Sequence, residues 1–428
     1  MVEDASTGPA SKGGVVPTSA PTVEPGVFRA FVVGLAEAMI AADESVDSIY
    51  DQLERTARAY GFADTAFVVL PTLVLVQTGP ADAGRVTVRS RDIDSFHFHQ
   101  IAQLYRLLNR AERGDIDPQQ GLARLAEIRA MRPRFSWWVR TIGHAILAAG
   151  LSLILVPTLT GVAVAFGLGL LVGLAKLVPS RALQLVLPTL SALVCGIVVY
   201  SLAQYIGVGD SLRLLIAPLA TFLPGAMLTT ATVELASRQM IAGASRLVAG
   251  LMQLALLAVG ILAAGAIVGV DGPDYQPISS VTIVPWWIEA LGVILFAVGI
   301  FFYLSVPAWT FAWVLLVLLT AFGVQTVTTG FVGGTSGAFF GALVMTPLVL
   351  WISSRDYGAP SQITFLPAFW LLVPGVSGLI GLTEAADAGL SGLGVALTTV
   401  LSIALGVLIG TALYRGFSEI GPRRPDDP

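Results

Sequence analysis

The sequence predicts an α-helical polytopic membrane protein, with ten transmembrane helices forming two inverted five-helix repeats behind a soluble α+β domain. Three observations carry this reading: the ratio of apolar to charged residues, the uneven placement of the charges, and motifs that recur along the apolar part. Of 428 residues, 55% are hydrophobic and 12% charged, about half the charged share of a soluble globular chain. Fifteen of the 24 Lys and Arg lie in residues 1–140, so the remainder is nearly bare of charge. This balance excludes a soluble enzyme and a disordered protein, and a formal net charge of −4 excludes a nucleic-acid binder. The single cysteine, Cys195, excludes a disulfide framework and a cysteine-built metal site.

Residues 1–26 read as a flexible tail of Gly, Pro, Ser, Thr and Ala, without the charged start and apolar stretch of a signal peptide. Residues 27–136 read as a cytoplasmic α+β domain of ordinary size. Val33, Leu35, Ala36, Met39 and Ile40 give one helical stripe, and Val46, Ile49, Leu53, Ala57 and Tyr60 a second, stopped by Gly61. Three β-rich runs follow near 63–70, 72–78 and 84–90, broken by Pro71 and by Gly79-Pro80. Leu104, Leu107 and Leu108, then Leu122, Leu125 and Ile128, mark two more helices, so the expected order is ααβββαα.

From Trp137 the chain divides into apolar runs of about 20 residues, the length that crosses a bilayer. They fall near 138–157, 160–178, 185–206, 211–233, 246–270, 286–304, 308–325, 328–352, 363–383 and 391–414. The first five make a repeat over 137–270 and the second five a repeat over 271–415, with a cytoplasmic tail at 416–428. Lys and Arg near span ends orient the chain. Arg129, Arg132, Arg134, Arg140, Lys176, Arg181, Arg238, Arg246, Arg355 and Arg415 share one side if both termini are cytoplasmic, as expected of a multi-pass bacterial plasma-membrane protein.

Two segments match at an offset of 149 to 150 residues. Trp137-Trp138-Val139-Arg140 corresponds to Trp286-Trp287-Ile288-Glu289, Gly143 to Gly292, Gly150 to Gly299, and Leu223-Pro224-Gly225 to Val373-Pro374-Gly375. Several matches in order at nearly one offset indicate duplication. Five spans is an odd number, so the second copy enters from the opposite side, which is the architecture of alternating-access transporters.

The fourth and ninth spans are both interrupted by Pro-Gly. A mid-helix Pro removes a backbone bond and clashes with the preceding turn, and in hydrocarbon the freed groups must find partners in protein, water or substrate. One kink commonly only shapes packing; two at matching repeat positions point to a midplane binding site. The expected substrate-binding residues are therefore Thr221, Pro224, Gly225, Thr229 and Thr230 in one half, and Pro374, Gly375 and Ser377 in the other. The half-helix after Gly225 would aim free N–H groups at a carboxylate. Ionisable groups in or beside spans are few and are candidates for proton coupling: Glu234, Glu384, Glu289 and His144. His97-x-His99 lacks a third ligand, so no metal site is expected, and Gly333-Gly334-Thr335-Ser336-Gly337 lacks the Lys of a phosphate loop, so no cofactor is expected.

The chain resembles the bacterial threonine/serine exporter family. Gly34-Leu35-Ala36-Glu37-Ala38, Tyr60-Gly61 and Leu70-Pro71-Thr72 match its amino-terminal pattern. Leu366-Pro367-Ala368-Phe369 and Leu372-Val373-Pro374-Gly375 match its carboxy-terminal one. After Glu37 the family usually has a small Gly-containing turn, where this chain has Asp43-Glu44. The resemblance implies a secondary exporter of threonine and serine, acting as an antiporter driven by the proton gradient or membrane potential. Some relatives are linked to dicarboxylates, so a succinate exporter is the alternative. The expected partners are small-molecule substrate, proton and membrane lipid, with no nucleic acid; a homo-oligomer is left open. From a different class comes a membrane-anchored enzyme or sensor acting through the soluble domain with Glu37, His97 or His99; no enzyme is the expectation.

Overall fold

A computed structural model of the chain describes residues 23–78, 85–90, 95–270, 285–332, 334–355, 357–372 and 391–420. The amino-terminal unit begins with α1 (Pro25–Ala41) and α2 (Val46–Ala59). The second carries the stripe read from its sequence, since Val46, Ile49, Leu53 and Ala57 are all buried. Gly61 adopts a φ of 79° and so ends the helix without steric cost. Strands β1 (Ala66–Leu70), β2 (Leu73–Thr78) and β3 (Arg85–Ser90) form an antiparallel sheet in that order. Leu70 pairs with Leu73 across the tight turn at Pro71-Thr72. Phe67, Val69, Val74 and Val76 alternate onto the face covered by α1 and α2. Helices α3 (Phe98–Glu112) and α4 (Pro118–Ala130) complete the unit. His97 and Gln100 form a reciprocal capping box at α3, and Asp117 caps α4 by accepting from Gln119 N at 2.7 Å.

The apolar part contains α5 (Trp137–Leu155), α6 (Leu159–Ala175), α7 (Arg181–Ala203), α8 (Ser211–Leu219), α9 (Gly225–Ala236) and α10 (Met240–Val268). It continues with α11 (Trp286–Tyr303), α12 (Phe311–Val332), α13 (Gly334–Ser353), α14 (Ser361–Leu372) and α15 (Ser391–Ile420). Among the described residues, seven helices are long and apolar enough to cross a membrane, or eight if α8 and α9 count as one bent span. Ten were expected, and the difference has two sources. The second expected span is only 17 residues of helix, about 26 Å at 1.5 Å per residue and short of a hydrocarbon core of about 30 Å. The ninth begins as the 12-residue α14, and its continuation lies outside the described residues. That continuation holds four of the expected site residues, Pro374, Gly375, Ser377 and Glu384.

Among the helix pairs that pack closely through glycine, three show contacts that recur along the chain. Helices α5 and α11 cross antiparallel. A methyl at Gly143 would stand 2.7 Å from Tyr303 N, and one at Gly292 would stand 2.8 Å from the Ile154 side chain. Methyls at Gly150 and Gly299 would strike the backbones of Phe296 and Leu147. Adding 149 to one partner and subtracting it from the other turns Gly143–Tyr303 into Gly292–Ile154, and Gly150–Phe296 into Gly299–Leu147. In two other helix pairs a contact recurs by translation instead of exchange. Gly260 of α10 abuts Thr189 O, Ala192 Cβ and Leu193 N of α7, whereas Gly406 of α15 abuts Phe339 O, Ala342 Cβ and Leu343 N of α13. Those three atoms recur 150 residues on, whereas the glycine that meets them recurs 146 on, about one helical turn short of that offset.

Candidate functional site

The fourth expected span is broken where the sequence places Pro224-Gly225. Helix α8 starts at Asp210, whose carboxylate accepts from Arg213 N at 3.0 Å, and it ends just after Pro218. A single 3-10 turn, Ala220–Phe222, and an extended Leu223 follow before α9 begins. The two helices are bent by 67°. Unwinding frees carbonyls, and one of them, Phe222 O, accepts from the Gln253 amide of α10. At the start of α9 the N–H groups of Gly225, Ala226 and Met227 have no acceptor within the helix.

The break borders a cavity of about 1020 Å³ between the membrane helices and the amino-terminal unit. Thr221, Pro224, Thr229 and Thr230 line it, and Gly225 is buried behind them. Thr229 is 1% exposed, and its hydroxyl has no hydrogen-bond partner among the described residues. A buried hydroxyl left unpaired costs about 1–3 kcal/mol, and this one belongs to a residue that borders the cavity. The opposite wall comes from the α1–α2 connection, with Asp43, Glu44, Ser45 and Asp47.

Behind Thr221 lies a chain of polar contacts. The Nδ1 of His144 is 2.8 Å from Gly169 O, and its Nε2 is 3.0 Å from Thr221 Oγ1. A carbonyl only accepts, so Nδ1 carries the proton and Nε2 accepts from the threonine hydroxyl. The same hydroxyl accepts from Lys176 Nζ, which also donates to Tyr303 OH at 3.1 Å. The Tyr303 ring packs edge-on against His144, with centroids 4.9 Å apart.

Glu234 is fully buried and joins α9 to the amino-terminal unit. Its Oε1 accepts from Val46 N, the first N–H of α2, at 3.1 Å. Its Oε2 pairs with Arg246 Nε of α10 at 3.2 Å. Arg246 Nη2 donates to Glu44 O at 3.1 Å, and Gln239 Nε2 donates to Asp47 Oδ1 at 2.7 Å. The Glu44 carboxylate accepts from Tyr105 OH, and burial holds its pKa above the ordinary carboxylate range despite that bond. Burial likewise raises Asp43, against the pull of Arg246. Glu289 lies elsewhere. It sits half-buried in the first turn of α11, about 21 Å along the helix from Tyr303.

The residues weighed for soluble-domain chemistry do not gather. Glu37 is tied to Arg129 at 2.8 Å and lies off the cavity wall. His97 lies on that wall, with its ring stacked on His99 at 6.0 Å. Burial, then the Arg140 guanidinium and His99, push the His97 imidazole down to about 4. No group of three or more metal-ligating side chains occurs among the described residues. Sequence reasoning missed Lys176, Gln253 and Tyr303. Lys176 reads from sequence as a flanking charge, and the other two carry no signal short of the fold that brings them to the break.

No curated protein and no solved structure matches the chain. A family model described as "Putative threonine/serine exporter" (ThrE) matches residues 30–268, more than half of the chain. The matched region runs from α1 through α10 and so takes in the amino-terminal unit, the break and the Glu234 junction. This multi-pass membrane protein belongs to the ThrE family of exporters.

Proposed function

We propose that the chain exports small hydroxylated amino acids, threonine and serine, from the cytoplasm by alternating access coupled to the proton gradient. The observation that carries this reading is the break itself. A bent span, the first turn of α9 and an unpartnered buried hydroxyl border one cavity large enough for a small zwitterion. The exchange of glycine contacts between α5 and α11, and its counterpart between the α7–α10 and α13–α15 pairs, supports two five-helix repeats of opposite orientation. A cytoplasmic location for the amino-terminal unit rests on the flanking arginines.

Among the coupling candidates, His144 has the strongest support. Protonating Nε2 would turn it from acceptor to donor and force the Thr221 hydroxyl to reorient, linking a proton to the substrate wall. Glu234 is already committed to Val46 and Arg246, which favours a fastening role. Glu384, Pro374, Gly375 and Ser377 stay in the proposal as the second half's counterparts. The alternative cargo, a dicarboxylate such as succinate, is favoured by two cations without an ion-pair partner among the described residues, Arg140 on the cavity wall and Lys176 behind Thr221.

The test is uptake of labelled threonine, serine and succinate into inverted membrane vesicles, with and without a pH gradient. Amino-acid accumulation that collapses with a protonophore is expected, together with loss of gradient dependence in H144Q. T229V should lower uptake while raising the melting temperature, because it deletes an unpaired buried hydroxyl. Gradient-independent equilibration would overturn the transporter reading in favour of a channel, and accumulation of succinate alone would replace the substrate.

A further inference from the structure

The geometry points to Lys176 as the residue that holds the carboxylate of the cargo, a role that rests on the transport reading above. The chain has only two lysines, and Lys176 is the one at the end of a membrane helix, as the C-cap of α6. A lysine there is expected to complement the helix dipole and extend its ammonium to water at the interface. Lys176 instead turns inward. Its Nζ donates to Thr221 Oγ1 at the break and to Tyr303 OH, and it lies 4.1 Å from the centre of the Phe222 ring.

None of these partners carries a negative charge, and Lys176 has no ion-pair partner among the described residues. An ammonium drawn into a membrane protein ordinarily meets a carboxylate, because an unpaired buried charge is expensive. Here two neutral hydroxyls and an aromatic face hold it half-buried; both hydroxyl residues line the cavity, and the ammonium stands behind them, one residue removed from the wall. An ammonium has three donor hydrogens, so one remains after Thr221 and Tyr303. The missing counter-charge is what a bound carboxylate supplies.

The surroundings agree. Arg140, one turn before His144 on α5, lines the same cavity, with its buried Nε lacking a hydrogen-bond partner among the described residues. Across the cavity Asp43 and Asp47 face inward from the amino-terminal unit. A small amino acid fits this polarity, with carboxylate toward Lys176 and ammonium toward the acidic connection. The arrangement belongs to one half only, since the residues 149 positions beyond His144 and Lys176 are Val293 and Gln325.

The experiment measures equilibrium binding to the full-length protein in detergent, comparing L-threonine with L-threoninol, in which an alcohol replaces the carboxylate. The wild-type protein should prefer threonine by about 30-fold or more, the usual loss when one partner of a buried charge pair is removed. K176Q should bring the ratio close to one while threoninol binding changes little, and K176R should keep most of the preference. K176M, which retains the apolar stem over Phe222, replaces K176Q if the latter does not fold. A variant that weakens both ligands equally, or that keeps the wild-type ratio, overturns the assignment. If the wild-type protein binds succinate and not threonine, the amino-acid reading fails. Lys176 is then judged by the succinate-to-succinamide ratio under the same criterion. Binding of no carboxylate overturns both.

Discussion

Replacing Glu234 by Gln separates two roles that one carboxylate could play. The side chain is 1% exposed and its partner Arg246 14% exposed, at 3.2 Å. Gln retains an oxygen for the Val46 N–H but removes the charge. At the α2 N-terminus that charge is worth about 0.3–1 kcal/mol. Leaving a buried ion without its partner costs about 3–5 kcal/mol. Arg246 keeps one acceptor, Glu44 O at 3.1 Å, so the lower end applies, and the total is about 3 kcal/mol. At 1.4 kcal/mol per factor of ten, opening of the junction should become about 100-fold easier. Amide hydrogen exchange across residues 46–59 measures this, with α2 exchanging faster in E234Q. R246Q should act similarly, and the double variant should cost much less than the sum of the two. Unchanged exchange in α2, together with transport that no longer responds to a pH gradient, would refute the fastening role and return Glu234 to the coupling proton.

Two further outcomes follow from the packing and the titrating groups. Gly150→Ala and Gly299→Ala, at exchanged positions of the α5–α11 crossing, should lower the melting temperature by similar amounts, each costing about 1–3 kcal/mol. Gly323→Ala, inside α12, meets nothing within 4 Å and should hold or slightly raise the melting temperature; unequal effects at the first two would count against the repeat. His97 is held at about 4 against an ordinary 6.5, so the unfolded chain takes up a proton between these values that the folded chain does not. Its contribution is therefore complete above pH 6.5 and is lost as pH falls toward 4. Melting curves across that window should flatten in H97Q. The raised Asp43 and Glu44 act with the opposite sign, because they weaken the fold as pH rises above their ordinary values.

Much of the architecture could be read from local pattern, because a span or an amphipathic helix is written in consecutive residues. The α2 stripe, the Gly61 stop and the Pro224-Gly225 break lie where the sequence places them. The site was only partly legible. Thr221, Thr229 and Thr230 flank the break in sequence and so were found with it. The partners of Glu234 could not be, since Val46 lies 188 residues away on another unit. Lys176 misled for a related reason: counting charges at span ends says nothing of where a flexible four-carbon stem points. The acidic connection at Asp43-Glu44 was visible as a departure from the turn usual in the family it resembles, but its place on the cavity wall depends on how α2 docks against α9 and α10.

The α5–α11 crossing has a mechanical consequence. Helices whose backbones touch at four successive levels cannot slide past one another without collision, so the pair behaves as a fulcrum. Under the alternating access proposed above, displacement that opens or shuts the cavity would be carried by the parts hung from it, chiefly the bend between α8 and α9 and the contact that Glu234 makes with α2. In that proposal a stiff pivot beside a jointed arm would let a small event at the joint become a large excursion at the mouth.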